Sequence, residues 1–126
     1  MVTLAAVLAC SVLGVLAGFQ LALVVGAPLG HLAWGGRHRV LPTSLRIGSL
    51  VSIVIYALIA GVVLARAGLI SIGLPEAAVG AVAWAVVAYF FLGIWLNLAS
   101  RSKPERVVMS PAAALLCALS AAVALG

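Results

Sequence analysis

Four long apolar runs, separated by short polar segments, leave this chain few ways to fold. The first extends from about Leu4 to Val25, the second from Ile47 to Ala65, the third from Pro75 to Ala99 and the fourth from Pro111 to Gly126. Each approaches the roughly 20 residues that a hydrocarbon core of about 30 Å demands of a helix. Lipid offers no partner to free backbone groups, so only helices or a closed barrel cross it, and barrel strands would alternate with period two. These runs are continuous. The expected fold is all-α: one transmembrane domain over residues 1–126, four helices in a compact bundle. Composition agrees, with 67% of residues apolar and 7% charged, against about half and about a quarter in soluble domains.

Local chemistry marks several boundaries. Ser110-Pro111 reads as a helix start, since Ser caps free amides and Pro at the first helical position loses no hydrogen bond. Pro75-Glu76 reads the same way, with the carboxylate beside the positive end of the helix dipole. The fourth run is short, and the alternative is a start near Pro104 with a kink at Pro111. The first run has no basic residue ahead of it and exceeds the apolar core of a signal peptide, about 7 to 15 residues, so it reads as a retained span. Val7-Leu8-Ala9-Cys10 looks like a lipidation box but lacks the charged leader.

The charges predict orientation. Loop one, between the first two spans, carries Arg37, Arg39 and Arg46, and loop three, between the last two, carries Arg101, Lys103 and Arg106. Loop two has only Arg66 at its edge. Basic loops stay cytoplasmic, which places loops one and three inside and both termini outside. The net charge of +5 then implies anionic lipid headgroups as partners, at about 1 kcal/mol per basic residue near the surface. It implies no nucleic acid, because the charges flank spans and form no patch interleaved with stacking aromatics. Arg66 is expected to snorkel toward headgroups or Glu76.

Helix association in lipid rests on packing, which makes small residues at four-residue spacing informative. Gly14 and Gly18 form such a pair in the first span, and Ala114, Ala118 and Ala122 a stripe in the fourth. Packing within one bundle is the simpler use of these faces; a seam with a second copy or another membrane subunit is the other. Trp84, Phe91 and Trp95 share one stripe of the third span and read as an interfacial aromatic belt. Cys10 and Cys117 form no CxxC pair and read as small apolar packers.

Polar groups at depth are Gln20, Ser49, Ser52, Tyr56, Tyr89 and Asn97. No span interior contains a carboxylate, Lys or His, and Glu76 and Glu105 lie near span ends, which argues against a proton relay. Gln20 and Asn97 fall toward the same side and are expected to bond each other or loop one, as an interhelical clamp or as cavity lining.

Loop one holds the densest chemistry. Pro28, Gly30, Gly35 and Gly36 break regular helix, while Leu29, Leu32, Ala33 and Trp34 suit lipid. This predicts a short interfacial or re-entrant segment turning at Gly35-Gly36. Arg37, His38 and Arg39 follow directly, so glycine amides and guanidinium forks are candidates to meet a phosphate or carboxylate. The candidate ligand or headgroup site is therefore His31, Trp34, Gly35, Gly36, Arg37, His38 and Arg39, with Gln20 and Asn97. His31 and His38 lack a third ligand for a metal, and the sequence calls for no cofactor.

Ala33-Trp34-Gly35-Gly36-Arg37-His38-Arg39-Val40-Leu41-Pro42 and Asn97-Leu98-Ala99-Ser100-Arg101-Ser102, followed by Glu105-Arg106, resemble segments of a family of small four-span bacterial integral membrane proteins. The resemblance implies a bacterial cytoplasmic membrane and carries no activity. Arg39-Val40-Leu41-Pro42 also echoes Arg106 through Pro111, hinting at two related hairpins. Small multidrug exporters need a glutamate within the first span, where this chain has only Gln20. Small fluoride channels insert both ways, against the charge bias here.

Three function classes follow. The first is a non-catalytic membrane component, an accessory subunit or lipid-interacting scaffold; it leads because no charge at depth marks a pathway. The second is an oligomeric transporter or channel with loop one as gate or anion site. The third is a lipid-headgroup enzyme with His31 or His38 as base.

Overall fold

The computed structural model describes residues 1–126 and contains helices and turns without strands. Helix α1 spans Val2–Val24, α2 Thr43–Arg66, α3 Glu76–Leu98 and α4 Lys103–Leu125, and two single 3-10 turns, Gly30–Leu32 and Trp34–Gly36, lie in loop one. All four long helices are long and apolar enough to cross a membrane, at roughly 35 Å each for a rise of 1.5 Å per residue. This is the architecture of a multi-pass membrane protein. Its outer surface agrees: Val15 is 73% exposed, Leu58 66% and Leu96 65%, and a soluble protein does not present such a continuous apolar skin.

Chain reversals close the helices as local chemistry directs. At the end of α1, Gly26 takes φ +96°, its amide donates to the Leu23 carbonyl, and Ala27 donates to Ala22. The same double bond recurs after α2, where Gly68 donates to Ala65 and Leu69 to Leu64. Both are Schellman ends, in which a left-handed glycine lets two late carbonyls find donors. Helix α3 starts at Glu76 behind Pro75, as expected.

The start of α4 overturns the Ser110-Pro111 reading and agrees with the alternative start near Pro104. The helix begins at Lys103 and runs unbroken through Pro111. Ser102 is its cap, accepting the Glu105 amide at 3.4 Å, while Ser110 is a buried interior residue whose hydroxyl has no partner. Pro111 withholds only the amide that would reach Val107, a loss one turn of a long helix tolerates. The echo of Arg39–Pro42 in Arg106–Pro111 fails with it: the first segment is loop, the second lies inside α4. Helix α2 likewise starts at Thr43, ahead of Ile47, because the Pro42 carbonyl accepts the Leu45 and Arg46 amides.

Around the bundle α1 lies between α2 and α4, and α3 between α4 and α2, with the α3–α4 and α1–α2 pairings the most extensive. Ala5, Ala6, Ala9 and Leu13 of α1, Ile59 and Val63 of α2, Val86 and Phe90 of α3, and Leu116 and Val123 of α4 form the main core. It fills the half of the bundle away from loops one and three. Cys10 reaches the Ala60 carbonyl at 3.9 Å and Cys117 the Val87 carbonyl at 3.8 Å, one weak thiol contact within each helix pair.

The small-residue faces point the other way. Gly14, Gly18, Ala114, Ala118 and Ala122 are all exposed, and nothing lies within 4 Å of a side-chain atom built at either glycine. Neither stripe packs inside the bundle. Trp84, Phe91 and Trp95 also face outward, the last two in edge-to-face contact at 6.1 Å.

Candidate functional site

Loop one is an ordered cap whose shape follows from its glycines. The Gly30 amide donates to the Arg39 carbonyl at 2.9 Å, folding the loop back so tightly that a Cβ at Gly30 would collide with the His38 carbonyl. Trp34, Gly35 and Gly36 all take positive φ, at 53°, 76° and 72°, which gives the expected turn. It reverses the chain and drives the Trp34 indole against α2, where a Cβ on Gly48 would stand 2.8 Å from the ring. There Nε1 donates to the fully buried Ser49 hydroxyl at 3.1 Å. Arg46 holds the loop's far end through Nε to the Leu41 carbonyl at 2.9 Å. The Ser102 hydroxyl donates to the His31 carbonyl, tying the loop to the start of α4.

Beneath this cap lies a cavity of about 710 Å³, with walls from all four helices and loop one. Fourteen of its twenty lining residues are hydrophobic. Its inner limit is set by Leu16, Tyr56, Phe90 and Leu116, roughly 20 Å along the axis from the ends of α2 and α4 at 1.5 Å per residue. Leu32, Ala33, Trp34 and Gly35 close it above. Beyond the inner limit the packed core begins, so the space belongs to one half of the bundle.

Its polar lining is sparse and placed. Gln20 Nε2 donates to the Tyr56 hydroxyl at 3.5 Å, leaving Gln20 Oε1 buried with no donor. Asn97 Nδ2 donates to the Gly93 carbonyl of its own helix at 2.8 Å. Gln20 and Asn97 therefore share the cavity wall without bonding each other, which corrects the expected clamp.

Glu105 is the residue the sequence reading missed. It is 7% exposed, lines the cavity, and sits in the first turn of α4. Ser102-Lys103-Pro104-Glu105 is a capping-box sequence, in which the glutamate ordinarily reaches back to the cap residue's amide. Here Ser100 Oγ takes the Ser102 amide at 3.1 Å instead, and Glu105 is left lining the cavity. None of the six basic side chains at this end pairs with it: Arg106 donates to the Ser100 carbonyl at 2.7 Å, Arg46 is spent on Leu41, and Arg37, Arg39, Arg101 and Lys103 are exposed. The capping-box spacing was the available signal, and Ser110-Pro111 outcompeted it.

The polar half of loop one is peripheral. His31, Arg37, His38 and Arg39 are exposed, and none lines the cavity. The Gly36 amide is spent on the Ala33 carbonyl at 2.9 Å, so the Gly35-Gly36 pair does not present both its amides to an anion. No three His, Cys, Asp or Glu side chains gather as metal ligands. At the opposite end Arg66 turns inward, donating through Nη2 at 2.7 Å and Nε at 3.2 Å to the Ala124 carbonyl. It caps α4, where expectation had it snorkelling to headgroups or Glu76. No protein-family model, curated protein or solved structure matches this chain.

Proposed function

We propose that this protein is a non-catalytic membrane component that seats an amphiphilic molecule, a lipid or lipid-like solute, in the cavity beneath loop one. The observation that carries this reading is the cavity itself: about 710 Å³, mostly apolar in its walls, with a carboxylate and two amides among its lining. Ligand sites are commonly such spaces, apolar with a few placed polar groups.

Two features favour holding a ligand over conducting one or transforming it. The far half of the bundle is packed by Ala5, Ala6, Ala9, Leu13, Ile59 and Val63, where a pore would need continuous space. Neither histidine side chain lines the cavity, so no base faces a bound molecule from loop one. The positive-inside rule supports the basic end in the cytoplasm and both termini outside, with Arg37 and Arg39 against anionic headgroups. The family resemblance supports a bacterial cytoplasmic membrane. The outward faces of Gly14 and Gly18 and of Ala114, Ala118 and Ala122 suit a second copy or another membrane subunit.

A native mass spectrum of the protein extracted with its own lipids tests the reading. We expect a retained amphiphile of defined mass that disappears in Ala112→Phe, which fills the cavity from α4. A bare protein, or an adduct indifferent to that substitution, overturns it.

A further inference from the structure

We propose that Glu105 is the counter-ion for an ammonium head, so that the cavity selects amphiphilic amines whose tails lie toward Leu16 and Leu116. The inference rests on the cavity reading above and adds the chemical class of the ligand. Two observations carry it. Glu105 is 7% exposed and lines the cavity, its backbone amide alone engaged by Ser102. Gln20 Oε1, on the facing helix of the same cavity, is buried with no donor. A carboxylate on the wall of a mostly apolar cavity and a buried amide oxygen both call for donors or positive charge. The protein supplies neither, although six basic residues share that end of the bundle.

The surroundings suit an ammonium head further. Trp34 lines the mouth of the same space, and an aromatic face attracts a cation. Between Glu105 and Leu116, eleven residues of α4 span roughly 16 Å at 1.5 Å per residue, room for an extended alkyl tail. The exposed arginines at the rim act through water, where charge is screened over about 8 Å. Their repulsion of an ammonium is weakened by that screening, and the contact within the cavity is left to Glu105.

The test uses a variant carrying Trp34 alone (Trp84→Phe with Trp95→Phe), in maltoside micelles, titrated with a primary alkylammonium brominated near its head. The controls are the alkanol and the alkyl sulfate of equal chain length, brominated alike. We expect Trp34 quenching by the ammonium at about tenfold lower concentration than by the alkanol, the preference worth one charged hydrogen-bond partner. Glu105→Gln abolishes that preference while alkanol binding persists, and Glu105→Asp retains it in part; persistence of alkanol quenching also shows that each variant is folded. A second arm replaces the free amines with vesicles of brominated phosphatidylethanolamine or phosphatidylglycerol. Glu105-dependent quenching by the ethanolamine lipid identifies a lipid headgroup as the source of the ammonium, and its restriction to the free amine identifies a soluble amphiphile. Equal quenching by ammonium and alkanol, or a preference that survives Glu105→Gln, overturns the ammonium assignment and leaves the cavity reading standing. Absence of quenching by every probe overturns both.

Discussion

The indole of Trp34 hangs over α2 with its Nε1–H on the hydroxyl of Ser49, a residue with no exposed surface, 3.1 Å away. That bond joins the turn of loop one to the wall of the bundle. It holds only while Gly48 leaves room, since a Cβ there would stand 2.8 Å from the ring. Gly48→Val should therefore eject the indole toward solvent and headgroups, shifting the emission of the single-Trp34 variant to longer wavelength. Ser49→Ala removes the acceptor without adding volume and should destabilise the cap by about 1 kcal/mol, with a smaller shift. Unchanged emission in Gly48→Val would place the indole elsewhere.

Arg66 and the Ala124 carbonyl make the corresponding closure at the other end. The carbonyl is one of the orphan acceptors of a helix terminus, in a residue 1% exposed, and the guanidinium also meets the negative end of the dipole. Arg66→Ala should lower resistance to dodecyl sulfate unfolding by about 1 to 3 kcal/mol, the penalty for a buried acceptor left unpaired. Arg66→Lys should recover part of this, because an ammonium keeps the charge but loses the two-pronged donor. Equal stability of all three proteins would mean the contact contributes nothing in the bilayer.

The number of spans, the bounds of α1 and α3, and the turn at Gly35-Gly36 were legible because apolar length, proline and glycine act locally. The start of α4 was less so, since Ser102-x-x-Glu105 and Ser110-Pro111 are both valid helix starts by short-range rules. Glu105 does lie at a span end, in the first turn of α4, but its place on a cavity wall went unread with the helix start. Apart from the aromatic stripe of α3, which faces outward as a belt should, the inward faces were not legible. In lipid the outer face is as apolar as the core, so periodicity loses the contrast that reveals orientation in soluble helices, and Gly14 and Ala118 look as suited to a core as Ala6 and Ala9.

That ambiguity has a measurable resolution. Ala6 and Ala9 have no exposed surface, so a leucine at either should overpack the core at about 1 to 3 kcal/mol. Gly14→Leu and Ala118→Leu add a side chain to exposed positions, and should leave monomer stability within about 0.5 kcal/mol or raise it slightly. Dodecyl sulfate titrations of the four variants decide the matter. Loss of stability in Gly14→Leu or Ala118→Leu comparable to that in Ala6→Leu would put the small faces in a contact, and concentration dependence of that loss would make the contact intermolecular.

Orientation separates two readings of the same basic end. If loops one and three are cytoplasmic, the cavity is loaded from the cell interior or the inner leaflet; if not, from outside. Cysteine labelling distinguishes these, starting from a Cys10→Ala, Cys117→Ala background, since both native thiols are only partly buried. Ser71 and His38 are exposed positions in loops two and one. Ser71→Cys should react with an impermeant maleimide in intact cells, and His38→Cys only after permeabilisation, because six of the seven basic residues lie on the loop-one side and resist translocation. The reverse pattern would move the mouth of the cavity, and with it Glu105, to the outer face. The ammonium site would then draw on ligands outside the cell, while its chemistry in the bundle stayed the same.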